Sequence, residues 1–208
     1  MNPVSLPPPA TQGALSVEQA IARRRSLRRY SPQALTLAQL GQVLWACQGL
    51  TSGQKRAVPS AGATYPLEVH VVVGKGGVEG LEEGIYGYRP EGHALHLLTD
   101  GDKRAELATA ALNERFLWEA PVDLVVCAIY ERTTEHYGNR GERYVHFEVG
   151  HLGQNAHLQA LALGLGTVMV GAFDDEQVSR VLGLEEDTRP LYIMPVGRPA
   201  DFYGGHRP

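Results

Sequence analysis

A chain of 208 residues with 43% hydrophobic and 20% charged side chains has the makings of one globular domain with a substantial core. Its formal net charge of −4 excludes a general attraction to nucleic acid or to an anionic membrane surface. No apolar run is long enough to span a bilayer and no charged-then-apolar leader opens the sequence. Cys47 and Cys127, each inside an apolar run, are therefore expected to be buried free thiols in a reducing cytoplasm.

Residues 1–14 are rich in proline and read as an extended or disordered arm that packs on a neighbour, with a single domain over 15–208. Ser16 with Gln19 forms a capping-box signature ahead of the helical run VEQAIARRR, and Thr36 with Gln39 repeats it ahead of LAQLGQVLWACQGL. On that second helix Leu37, Leu40, Leu44 and Cys47 share a face. Between the two helices, residues 23–29 hold five arginines. Such a run is a solvated face, a nucleic-acid patch or an anion site. The acidic balance argues against the second, and the guanidinium fork beside Ser26 suits phosphate oxygens.

Next comes PSAGATYP, residues 59–66, whose small residues between two prolines give either an ordinary turn or a loop that lies close against a ligand. LEVHVVVG then reads as a strand, the glycine-rich 74–84 as a flexible loop, and 84–98 as a hairpin. A helix is expected over 102–112 and a buried strand over 122–130. The longest helical period runs over 143–164. One stripe holds Val145, Val149, Leu152, Ala156, Ala160 and Leu163, and a second holds Phe147, His151, Gln154, Leu158 and Leu161. A third face carries His146, Gly150, Gly153 and His157. Small or apolar residues on nearly every side predict a helix surrounded by protein, with its glycines admitting a backbone or a flat ligand. A strand over 167–170, a capped helix from Asp174 and a last strand over 191–197 complete an α+β pattern. Glu148 and His151 are spaced as half of a di-iron site, but no second E-x-x-H exists, so no metal is expected.

The order of these motifs resembles the nitroreductase family. RRSxR with its following aromatic resembles that family's flavin-phosphate motif. PSAGATYPLE and RYVHFEVGHLGQN resemble segments of its thiazole- and oxazole-forming (SagB-type) dehydrogenase branch, and VGAFDD and PVGRP resemble its closing segments. The resemblance spans about 21–199 and implies a mixed, mostly antiparallel sheet flanked by helices around the long central helix. It implies FMN held at its phosphate by Arg24, Arg25, Ser26, Arg28 and Arg198. It also implies that Pro59, Ser60, Ala61, Gly62 and Ala63 lie against the ring, with Gly171 and Ala172 on the other side. A homodimer with FMN at the subunit interface is part of the same inference. So is an oxidoreductase activity that passes hydride through the flavin N5, from NAD(P)H to a small organic acceptor. Peptide-modifying members carry a Lys-Tyr pair ahead of the RY-x-x-x-E helix, and the matching positions here are His136 and Tyr137. Histidine can move protons near neutral pH, but the missing lysine favours a generic reductase. An azoline dehydrogenase acting on peptides and a flavin-binding sensor or carrier are the alternatives.

Overall fold

In the computed structural model, which describes residues 3–200, both capping boxes start helices as read. Ser16 caps α1 (Val17–Arg23) and Thr36 caps α2 (Leu37–Gln48). Each hydroxyl accepts from the glutamine N–H three residues on, and that glutamine's Oε1 accepts the cap residue's own N–H. The strands are β1 (Val4–Ser5), β2 (Leu50–Ser52), β3 (Lys55–Arg56), β4 (Leu67–Val73), β5 (Gly84–Arg89), β6 (Ala94–Asp100), β7 (Val122–Ile129), β8 (Gly166–Thr167) and β9 (Thr188–Gly197). Seven of them form one sheet in the order β1-β6-β5-β4-β7-β9-β8, while β2 and β3 make a separate hairpin. Among the described residues every strand pairing is antiparallel, the one parallel contact being an isolated bridge between Leu35 and Val78. The remaining helices are α3 (Arg104–Ala110), α4 (Arg115–Glu119), α5 (Glu131–Tyr137), α6 (Arg140–Ala162) and α7 (Asp175–Leu182).

Period-two alternation along β7 divides the core. Leu124, Val126 and Ala128 pack with α2 and α6, while Val125 and Cys127 pack with α3, α4 and α7 on the opposite face. The sheet is thus a middle layer between two helical layers. Both cysteines are free and buried, and burial pushes the Cys47 thiol up to about 12. Asp123 is the exception in β7. It is fully buried, neither carboxyl oxygen has a hydrogen-bond partner, and burial raises its pKa well above the carboxylate range. A carboxyl raised in the folded state stabilises the fold while protonated, and that stability is lost as pH climbs from the unfolded toward the folded value. Asp123→Asn, which cannot ionise, is expected to gain on the parent by up to about 1.4 kcal/mol per pH unit over that window. Urea unfolding at pH 5 and pH 8 measures it. A constant difference between the two proteins would remove the claim.

The central helix α6 runs about 35 Å at 1.5 Å per residue and differs from the expectation. Val145, Val149, Leu152, Ala156 and Ala160 are buried against the sheet. Phe147, Gly150, His151 and Gln154 are exposed in the single chain, and Phe147 is 53% exposed. One face is therefore uncovered within the single chain. The backbone approach also lies elsewhere than expected. A Cβ on Gly141 would stand 2.9 Å from Thr134 Cα and N in α5, and one on Gly153 would meet Met169 Sδ at 2.2 Å, whereas Gly150 faces open space.

Residues 4–10 run along their own chain. β1 pairs with β6, Leu6 N–H donates to His93 O, and Ala10 exchanges two hydrogen bonds with the Gln42 side chain. Among the described residues no helix is long and apolar enough to cross a membrane.

Candidate functional site

The arginine segment takes its shape from its neighbours. The chain leaves α1 extended at Arg24, with ψ 127°. Leu27 N–H then donates to Thr167 O at 2.9 Å, Ser31 N–H donates to Arg198 O at 2.9 Å, and Tyr30 bridges to Pro199. Leu27 and Tyr30 are buried, Ser26 and Arg28 are exposed, and Arg24 is half-buried. Burial holds the Tyr30 phenol above its usual range, and the Arg28 charge opposes it from nearby. His157 of α6 is pushed down to about 4 by burial first and by the Arg24 charge second, so its imidazole is neutral near pH 7. Arg198 reaches the end of α6, its Nη1 lying 4.0 Å from where a Cβ on Gly164 would stand.

Three polar atoms of this region are buried without a hydrogen-bond partner: His157 Nε2, Thr167 Oγ1 and Arg198 Nε. Buried polar groups are nearly always paired, so their concentration beside Arg24 marks a place fitted for acceptor oxygens. Arg25 departs from the expectation. Its guanidinium folds back onto the carbonyls of Ala22 and Arg24, at 3.1 and 2.7 Å, where it caps the end of α1.

The PSAGA loop contains a 3-10 turn at Ala61–Ala63 and three left-handed residues, Gly62 (φ 60°), Ala63 (φ 54°) and Tyr65 (φ 46°). Ala63 and Tyr65 each cost roughly 1–2 kcal/mol in that region, which the surroundings must offset. Ser60 Oγ accepts from Tyr65 N–H at 2.9 Å, and the hydroxyls of Thr64 and Thr133 meet at 2.8 Å. Arg132 donates to Tyr65 O at 3.3 Å, and the Arg56 guanidinium stacks on the Tyr65 ring at 4.6 Å. Glu148, buried in α6, faces the Ser60 side chain from below. Pro59, Gly62 and Ala63 stay exposed and Ser60 and Ala61 half-buried, so the loop presents a small-residue surface outward.

His136 and Tyr137 lie on the helix α5. Their rings meet edge-on at 4.5 Å, and Tyr137 meets Tyr144 at 5.0 Å. Tyr137 Oη stands 2.9 Å from where a Cβ on Gly62 would be, which ties it to the loop, whereas His136 is exposed. Gly171 and Ala172 are exposed just beyond the Val170–Ile193 bridge, with Gly171 against the Tyr192 ring. Glu148 is buried and His151 exposed, so they do not converge, and no His, Cys, Asp or Glu group fit to hold a metal gathers among the described residues.

Sequence reasoning missed Glu148, Gln48, Arg56 and His157 as parts of the site. Helical register held the signal for two of them. Glu148 follows Val145 by three and precedes Leu152 by four, which puts a carboxylate on the buried stripe, and His157 follows Gly153 by four on the glycine face.

The arginine cluster and the PSAGA loop do not meet within one chain. Along α6 and its end, Glu148 under the loop is 9 positions from His157 beside Arg24 and 16 from Gly164 beside Arg198, about 14 and 24 Å at helical rise.

Comparison with known proteins gives this geometry its family. The nitroreductase family model matches residues 21–198. MJ1384 of Methanocaldococcus jannaschii, which carries the name nitroreductase, is 49% identical over 185 residues, 88% of this chain and 91% of that protein. McbC of Escherichia coli, a microcin B17-processing protein, is 29% identical over 147 residues, which cover 69% of this chain but only 54% of McbC. A crystal structure named for a nitroreductase from Ralstonia eutropha JMP134 superposes with a TM-score of 0.82 at 28% identity, covering 96% of this chain and 90% of that one. The chain belongs to the nitroreductase family and is an oxidoreductase of that fold.

Proposed function

We propose that this protein is an FMN-dependent oxidoreductase that moves reducing equivalents from NAD(P)H to a small organic acceptor. The observation that carries the reading is the set of unpartnered buried groups, His157 Nε2, Thr167 Oγ1 and Arg198 Nε, beside Arg24 and the outward-facing Ser26 and Arg28. That set suits a phosphate dianion, because guanidinium and neutral donors together match its oxygens. Arg24, Arg28 and Arg198 would hold the phosphate, with Ser26 and the neutral His157 adding uncharged contacts. The chemistry the flavin supplies when bound is two-electron exchange between donor and acceptor. This chain's own part is to position and shield. The exposed backbone of Gly171 and Ala172 suits close approach to a flat ring, and the outward surface of Pro59 to Ala63 suits its other side. Tyr137, held against Gly62, brings a phenol hydroxyl to that surface, with His136 outside it.

The separation of the two halves along α6 supports a homodimer. A two-fold axis across the exposed face of Phe147, Gly150, His151 and Gln154 sets two α6 helices antiparallel. Each PSAGA loop then comes beside the other subunit's arginine cluster, and Gly150 leaves room for close packing. The test is an absorbance spectrum of the purified protein and of the ligand released by heating, together with sedimentation. Flavin bands, FMN in the supernatant and a dimeric mass are expected. A colourless protein that takes up no added FMN would sink the reading, and a monomer that keeps FMN would sink the shared site.

A further inference from the structure

Glu148 is the one carboxylate on the buried stripe of α6, 3% exposed and lying beneath the loop 59–65. Ser60 and Gln48 turn polar side chains toward it, while its Oε1 has no hydrogen-bond partner. Ser60 Oγ is also the acceptor that holds Tyr65 N–H at 2.9 Å. Gln48 is 1% exposed, its Oε1 accepts from Arg56 Nη1 at 3.0 Å, and its Nε2 is unpartnered. Arg56 in turn stacks on Tyr65. Ser60, Tyr65, Arg56 and Gln48 therefore form a chain of contacts joining both ends of the left-handed loop, and Glu148 sits under it. A purely structural floor at this position would be filled by an apolar residue, as it is at Val145, Val149 and Leu152.

We propose that Glu148 is a positioning residue, whose buried carboxyl beneath Ser60 keeps the loop 59–65 closed and so sets the hold on the flavin. The proposal rests on the FMN reading above. Burial is the largest influence on the carboxyl and pushes it up to about 7, while Ser60, Gln48 and the Arg56 charge favour its ionised form. The loop offers only Ser60 and α2 only Gln48, both uncharged. Arg56 of β3 is the one charged group that acts on it, and none does so from α5 or β4. A carboxyl raised in the closed state favours closure while protonated, and this contribution is lost as pH rises through about 7. The buried carboxylate with an unpartnered oxygen is costly, and opening the loop lets water reach it.

The experiment titrates FMN into the full chain by fluorescence quenching between pH 6 and 8.5, with Glu148→Gln and Ser60→Ala beside the parent. For the parent, the dissociation constant is expected to rise above pH 7 by up to about tenfold per pH unit, the limit for one linked proton. Glu148→Gln is expected to hold the parent's low-pH affinity at every pH. Ser60→Ala, which loses a group favouring ionisation, is expected to move the midpoint upward. A flat parent profile, or the parent's slope retained in Glu148→Gln, overturns the proposal. Amide exchange of residues 59–65 without FMN, compared between parent and Glu148→Gln at each pH, provides a second readout. If the parent takes up no FMN at any pH, the flavin reading fails alone. Faster exchange in the parent above pH 7 then still supports the role of Glu148, and equal exchange overturns it.

Discussion

Replacing Arg24 and Arg28 together by alanine is expected to yield a folded protein that purifies without flavin colour. Arg28 is exposed and Arg24 half-buried, so neither removal opens the core. Each charge-assisted hydrogen bond to a phosphate contributes about 1.5–3 kcal/mol, so losing both weakens binding roughly a hundred- to ten-thousand-fold. Arg25→Ala is the internal contrast. Its guanidinium is already held by the carbonyls of Ala22 and Arg24, so this variant should keep its colour and lose only a little of the α1 end. The ratio of flavin to protein absorbance in the purified variants decides. Full flavin retention in the double variant, or loss in Arg25→Ala, would reverse the assignment of the segment's side chains.

Gly141→Val is expected to be strongly destabilising while leaving the flavin contacts untouched in the sequence. Alanine or valine in the first turn of α6 satisfies helix propensity better than glycine by less than about 1 kcal/mol. Against this, the new Cβ would stand 2.9 Å from Thr134 Cα and N and 3.0 Å from Thr133 C, all backbone atoms that cannot rotate away. The steric term wins, and pushing α5 off α6 costs about 2–3 kcal/mol, a fall of roughly 5–10 °C in melting temperature for a domain of this size. It also pulls Thr133 from Thr64 and Tyr137 from Gly62, so the loop loses two supports together. Thermal unfolding followed beside flavin retention measures both. An unchanged melting temperature would mean that α5 shifts freely, contrary to the contact.

Elements whose cause is local were legible in the sequence. The capping boxes at Ser16 and Thr36, the β4 and β7 runs and the capped start of α7 depend on residues within one or two turns of each other. The expected helix over 102–112 shortened to α3 because Leu112 and Asn113 adopt left-handed φ, which ends it. The helices α4 and α5 and the hairpin of β2 and β3 escaped notice. Elements of two to seven residues are marginal alone and exist only because tertiary packing holds them. The last strand begins at Thr188, ahead of the expected 191, because β7 supplies partners as far as Ile129.

The candidate site divides in the same way. By themselves, the residue types in order along the chain determined the family, the arginine segment and the PSAGA loop, because those motifs are contiguous. Only the tertiary structure turned Arg25 back onto its own helix, made His157 neutral beside Arg24, and placed Glu148 under Ser60. It alone separated the arginine cluster from the loop along α6 and left one face of that helix uncovered. The reason is physical. Propensity and capping act over a few residues, whereas burial, desolvation and the aim of a side chain depend on whatever the fold brings from elsewhere in the chain.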